Sequence, residues 1–240
     1  MSPLDGTSWL LVGGHDLVGG AVDVGITVFF ADGMISGSAG CNRFHGRYEV
    51  TDSQVSERGA SYALSVGPLA TTMMMCEPEV MDVERDVLQR LSDATHADVV
   101  DEQLLLGADD VTLLAFRAQR GEDLTGTWRV RSLHRPERAA IMSVTEPSSG
   151  LQLTLQIDAD RVSGFAGCNT FNGRVQFDDA GVLRIGPVVS TMKACTEPEV
   201  MEQEQALFRA LDGTVGYRLE GRALTLLRSD GGIAASLHRD

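Results

Sequence analysis

Cys41 and His45 stand four positions apart in Gly-Cys-Asn-Arg-Phe-His-Gly. At that spacing an imidazole could take the proton of a thiol and leave a thiolate nucleophile. The whole stretch recurs downstream. Ser36-Gly-Ser-Ala-Gly-Cys-Asn-Arg-Phe-His-Gly-Arg-Tyr48 returns as Ser163-Gly-Phe-Ala-Gly-Cys-Asn-Thr-Phe-Asn-Gly-Arg-Val175, and the place of His45 is taken by Asn172. A Cys–His nucleophile common to both copies is thereby excluded. A thiol-dependent centre confined to Cys41 and His45 remains as an alternative.

A second block, Gly67-Pro-Leu-Ala-Thr-Thr-Met-Met-Met-Cys76, returns as Gly186-Pro-Val-Val-Ser-Thr-Met-Lys-Ala-Cys195, so each copy holds one cysteine per block. Two disulfides, Cys41 with Cys76 and Cys168 with Cys195, are the stronger reading. They close loops of 35 and 27 positions, and each would restrict the unfolded chain by roughly 3 to 4 kcal/mol. Four buried free thiols packed as small hydrophobes are the other reading.

Metal chemistry finds little support. Zinc wants closely spaced Cys/His pairs, whereas His15, His96, His134 and His238 do not repeat between the copies. Asp109-Asp110 and Asp178-Asp179 lack the ligand alternation of a calcium loop and read as turns. Met73-Met-Met75 suggests a thioether cluster for copper. Only Met73 recurs, as Met192, so core packing is the expectation for both. Gly40, Asn42, Phe44 and Gly46, with Gly167, Asn169, Phe171 and Gly173, are expected to build a tight turn, in which an Asn side chain satisfies backbone groups.

The elements that must position these blocks can be read around them. Trp9 and Trp128, the only tryptophans, open the two copies from matching places and are expected in the core rather than stacked on a ligand. Ile26-Thr-Val-Phe-Phe30 and Leu151-Gln-Leu-Thr-Leu-Gln-Ile157 read as strands, the second by strict alternation. Each returns through an Asp-rich turn into the Gly-Cys-Asn block, after which Arg47–Val50 and Arg174–Phe177 resume extended structure. The extra length of the first copy is assigned to a polar loop around Thr51 to Ser61. After the second cysteine, Glu77-Pro-Glu-Val and Glu197-Pro-Glu-Val start helices. Val80, Val83, Val87, Leu88 and Leu91, and Val200, Leu207, Phe208 and Leu211, supply their apolar faces. Gln103–Leu106 and Val111–Phe116 close the first copy. Tyr217–Leu219, Ala223–Leu227 and Ile233–Leu237 close the second, after a short polar connector at Ala118–Asp123. Strands, one helix and more strands in each copy describe an α+β protein of two tandem domains, 1–119 and 120–240, each with a mostly antiparallel sheet curled over one amphipathic helix.

Bulk composition removes some functions. Hydrophobic residues make up 43% and charged residues 22% of the 240, as in ordinary globular proteins. A net charge of -14, with Lys193 as the only lysine, argues against nucleic acid as a partner. No apolar run approaches the roughly 20 residues of a membrane span, and Met1-Ser-Pro-Leu-Asp lacks the basic and apolar stretches of a signal peptide. The paired cysteines suit an oxidising compartment. The chain is thus expected in the cell envelope or secreted if a leader was removed, and in the cytoplasm if it is the native full length.

The order of Gly-Thr-x-Trp, Gly-Cys-Asn-x-Phe-x-Gly, Gly-Pro-x-x-x-Thr-Met ending in Cys, and an acidic helix resembles the META domain, also called the HslJ-like family. Both copies carry it, over nearly the whole chain. Where that family often has Thr-Arg-Met, this sequence has Thr71-Thr-Met73 and Ser190-Thr-Met192, which puts any role of that arginine in doubt. The resemblance implies a compact α+β domain with a strongly bent antiparallel sheet. It also implies bacterial lipoproteins or secreted proteins, some linked to heat shock, antibiotic tolerance or virulence, and no family-wide enzymatic activity. The resulting expectation is a non-enzymatic binding or structural module of the cell envelope or of stress tolerance, without cofactor or metal. It would be a monomer of two pseudo-symmetric lobes whose partner is a protein or a small apolar ligand. Carriage of such a ligand inside the curved sheet is the third functional reading.

Overall fold

Buried and exposed side chains alternate along β1 (Thr7–Gly13), β2 (Thr27–Ala31) and β3 (Met34–Ser38), so that Trp9, Leu11, Val28, Phe30 and Ile35 point inward. A computed structural model describes residues 3–18, 20–21, 24–56, 59–135, 140–143, 152–177, 183–230 and 232–239. It divides into two compact units, Met1–Gln119 and Arg120–Asp240.

The first unit continues through β4 (Arg43–Ser56), β5 (Gly59–Val66), β6 (Ala70–Thr71), α1 (Pro78–Asp93), β7 (His96–Val100), β8 (Gln103–Ala108) and β9 (Val111–Ala118). Its strands pair in the order β3-β2-β1-β9-β8-β7-β5-β4-β6, every pair antiparallel, and β3 pairs also with β4. That last ladder closes eight strands into a ring, with β6 attached to β4. The bent sheet expected from the sequence is a barrel, and closure leaves the ring without a free edge.

Fourteen residues of β4 make the closure possible. Arg43–Arg47 pair with Met34–Ser38 of β3, and the strand then passes through an irregularity between Val50 and Asp52 and pairs with β5 out to Ser56. The polar stretch from Thr51 to Ser61, expected as a loop, is therefore mostly ladder. Thr51–Val55 are all exposed, and burial alternates only further along β5, where Tyr62 and Leu64 face the core. The sequence reading also missed β7, where Ala97 is the single buried residue.

Pro78 occupies the first turn of α1 after Glu77, with Glu79 in the same turn. This is the arrangement expected of a helix start. Val83, Val87 and Leu91 are buried in one cluster with Trp9, Phe30, Phe44 and Phe116. At about 1.5 to 3 kcal/mol for each large apolar side chain, this cluster supplies most of the drive to fold. Near the helix end Arg90 pairs with Asp86 at 2.9 Å and donates to the carbonyls of His15 and Asp16, fixing the segment after β1.

The second unit repeats the plan with β10 (Gly126–Arg135), β11 (Ala140–Ser143), β12 (Thr154–Ile157), β13 (Arg161–Phe165), β14 (Thr170–Phe177), β15 (Leu183–Ile185), β16 (Val189–Ser190), α2 (Pro198–Asp212), β17 (Thr214–Glu220), β18 (Ala223–Arg228) and β19 (Ile233–His238). The path runs β15-β14-β13-β12-β10-β19-β18-β17, with β11 on β10 and β16 on β14. Among the described residues no ladder joins β15 to β17, whereas their counterparts β5 and β7 are paired in the first unit. Trp128 is fully buried in this core, its indole N–H donating to the Leu124 carbonyl at 2.8 Å, and Arg239 lies 4.7 Å from its ring centroid. Trp9 is likewise buried and donates to Thr7, so both tryptophans are core residues as expected. Leu151 and the pair Asp178-Asp179 lie outside the described residues.

Candidate functional site

The repeated blocks come together where β3 hands the chain to β4. Gly40 and Gly167 have φ of 118° and 102°, a region open to glycine and costly for other residues. Each lets the chain reverse, with the N–H of Ala39 bonded to the carbonyl of Asn42 and that of Ala166 to the carbonyl of Asn169. Phe44 and Gly46, with Phe171 and Gly173, belong to β4 and β14 rather than to the turn. The two phenylalanines are buried. The two glycines lie beneath the Gly-Pro segments, so that a Cβ on Gly46 would fall 2.7 Å from a Leu69 methyl and one on Gly173 3.1 Å from a Val188 methyl.

Cys41 is bonded to Cys76 and Cys168 to Cys195, with Cα–Cα distances of 6.0 and 6.2 Å, inside the usual disulfide range. No cysteine is free. The sulfur of Cys41 is thus engaged covalently rather than held as a thiolate, while His45 points outward from β4.

Asn42 and Asn169 are the hubs. The Asn42 side-chain amide donates to the Met74 carbonyl at 3.1 Å, and its Oδ1 accepts from the Met74 N–H at 2.7 Å and from the Thr72 hydroxyl at 2.8 Å. In the second unit Oδ1 of Asn169 accepts from the Lys193 N–H at 2.8 Å and from the Thr191 hydroxyl at 2.7 Å. Each asparagine also meets a glutamate of the helix. The N–H of Asn42 donates to Glu84 Oε2 at 2.6 Å and its amide to Oε1 at 2.9 Å, while Asn169 reaches Glu204 at 2.9 and 3.1 Å. Buried groups of this kind are stable only when their partners are in place.

Turn, strap and helix are therefore clamped at one point by a disulfide and a network centred on one amide. Glu84, Glu204, Thr72 and Thr191 were not singled out from the sequence. The signal was present, since Glu84 and Glu204 both follow a helix-start proline, Pro78 or Pro198, by six positions.

The clamp leaves the straps between β6 or β16 and the helices in solvent. Met73 and Met192 are 96% and 98% exposed, so the expected core position is overturned. The strap backbone satisfies its polar groups on the Asn42 side chain and the Arg43 carbonyl, or on the Asn169 side chain and the Thr170 carbonyl, and is held without burying its methionines. Met75 is also exposed, at 95%.

Other features lie apart from the clamp. A groove of about 880 Å³ on the second unit is lined by Arg161, Arg174, Arg184, Asp158, Asp160 and Asp212 among others, with both signs of charge. Burial pushes the Tyr217 hydroxyl up to about 12, helped by the Asp123 carboxylate. Burial, then Arg228, lowers His134. Among the described residues no group of three or more His, Cys, Asp or Glu is disposed to hold a metal, and no helix is long and apolar enough to cross a membrane.

The META domain model matches residues 2–120 and again residues 122–240. No curated protein matches the chain. A solved structure, that of a protein from Burkholderia xenovorans determined by NMR, is 24% identical with a TM-score of 0.39, and the match covers 48% of this chain and 81% of that one. A DUF4847-family protein from Bacteroides vulgatus, solved by crystallography, is 13% identical with a TM-score of 0.34, the match covering 50% and 96%.

Proposed function

We propose, on the premise that this chain belongs to the META domain family, that it is a non-enzymatic binding module that presents its two clamped straps to a protein partner. The observation that carries this reading is the exposure of Met73 and Met192 at corresponding places of the two units. A large apolar side chain held almost wholly in water by a rigid backbone contributes nothing to its own fold, and flexible thioether side chains adapt to varied apolar surfaces. Two disulfides suit work outside a reducing cytoplasm, which supports a place in the bacterial cell envelope. A role in stress tolerance is the corresponding physiological proposal.

Two other readings carry less. A thiol-dependent centre at Cys41 and His45 would first need the Cys41–Cys76 bond reduced. A carrier of a small apolar ligand would need interior space, and the inward positions hold Phe30, Phe44 and Phe116 in one unit and Trp128, Phe171 and Leu226 in the other.

The test is affinity capture from an envelope fraction of the native host with three baits, the parent chain, Met73→Asp and Met192→Asp, each verified as folded by circular dichroism. A partner that binds the parent and is lost with either aspartate supports the reading. A partner held equally by all three baits, or turnover by the reduced chain that is lost in His45→Ala, overturns it.

A further inference from the structure

The straps of the two units differ in sulfur content. Between the threonine and the cysteine, the first has Met73-Met74-Met75 and the second Met192-Lys193-Ala194. Exposure along the first strap is 96%, 56% and 95%. All three are exposed, the outer two almost fully, and in an extended chain residues two apart share a side. Met74 is anchored by both backbone groups to the Asn42 amide. Met73 and Met75 flank that anchor, both almost wholly in solvent, and two residues of extended chain span about 7 Å between Cα atoms. Three rotatable bonds in each side chain let the two sulfurs close on one small ion.

Thioethers are soft, neutral donors, and they select soft cations. The thiols of this chain are already consumed, since no cysteine is free. Conditions that keep those disulfides formed leave a thioether able to bind metal. The strap then runs into the exposed carboxylates Glu77 and Glu79, and a protein of net charge -14 concentrates cations at its surface. The second strap carries no such pair, since one thioether there stands beside Lys193 and Ala194 replaces the second sulfur.

We infer that Met73 and Met75 form a site for a soft monovalent cation, Cu(I), for which Ag(I) serves as a redox-inert probe. The ion binds and leaves in the same oxidation state, and its ligands are the two neutral sulfurs. This site does not depend on the partner-binding reading, because it uses a pair of residues that only one strap carries.

The experiment uses the full chain with its disulfides intact. Ag(I) is titrated while the methionine ε-methyl resonances are followed by NMR, and Cu(I) is titrated anaerobically against a chromogenic Cu(I) chelator. The expected result is a shift of the Met73 and Met75 methyls that saturates at one ion per chain, with Met192 unmoved over the same range. The Met73→Leu/Met75→Leu variant, checked for folding by circular dichroism, loses the competition with the chelator, and Met192→Leu retains it. Movement of Met192 at the same metal concentration as Met73 and Met75 would overturn the site, as would a double leucine variant that competes as well as the parent. Partner capture is scored on metal-free chains, so failure of either proposal is visible separately.

Discussion

Asn42 and Glu84, 42 residues apart in the chain, meet through two hydrogen bonds of 2.6 and 2.9 Å. Both residues are buried. Glu84→Ala removes both acceptors and leaves the Asn42 N–H without a partner, at a cost of about 1 to 3 kcal/mol. The fall is expected in the urea midpoint, and Glu204→Ala should lose less because Glu204 is only partly buried. Equal stability of Glu84→Ala and the parent would deny the clamp its structural role.

Gln203 stands five positions after Pro198, where the first unit has Val83 five positions after Pro78. Its Oε1 is buried without a hydrogen-bond partner among the described residues. Gln203→Val exchanges an unsatisfied carbonyl for the apolar group the other unit uses, and should stabilise by about 1 kcal/mol. A lower melting temperature than that of the parent would contradict this assignment.

Tyr217 gives the second unit a dependence on alkaline pH. Its hydroxyl ionises near 10 in the unfolded chain and at about 12 in the folded one. Between these values the unfolded state gives up a proton that the native state keeps. The contribution is complete below the lower value and is lost as pH rises toward the upper one. Denaturant unfolding on either side of this window should show the loss, and Tyr217→Phe should flatten it. A Phe variant with the same pH profile as the parent would remove Tyr217 as its source.

Gly37 and Gly164 occupy matching places in the two copies of the motif. A Cβ at either would overlap the carbonyl oxygen of the neighbouring strand, Thr27 or Thr154, and crowd the ring of Phe44 or Phe171. Alanine at each should cost about 1 to 3 kcal/mol, as overpacked sites do. Thermal unfolding of the two single variants, compared with a harmless exchange such as Gly13→Ala, where a Cβ meets nothing within 4 Å, is the check.

Opening either disulfide by paired Cys→Ala exchange should cost about 3.5 to 4 kcal/mol for loops of 35 and 27 residues. The two costs should be nearly equal, since the dependence on loop length is logarithmic. A thiol reagent should label none of the four cysteines before reduction and all four after it.

Much of this could be read from the chain because the duplication marks it. The cysteine partners follow from their places in the repeat, and the helices from proline, acids and apolar spacing. Ring closure was not legible, since it depends on one strand pairing to both sides and no residue type announces that. Exposure of Met73 was read wrongly for a physical reason. An apolar run between threonines and a cysteine looks like a core strand, yet here the Asn42 side chain and the Arg43 carbonyl secure the backbone and relieve the methionines of any packing duty. Glu84 was missed because a glutamate in an acidic helix reads as solvated surface.

The disulfides have a mechanical consequence. If the chain were pulled from its ends, tension would pass from Cys41 directly to Cys76 and from Cys168 directly to Cys195, bypassing β4, β5, β14 and both straps. Lengths of about 110 and 85 Å would be withheld from extension, at about 3.4 Å per residue less the span of the bond. Each strap would then ride inside a loop that carries no load, keeping its shape while the strands outside it unravelled.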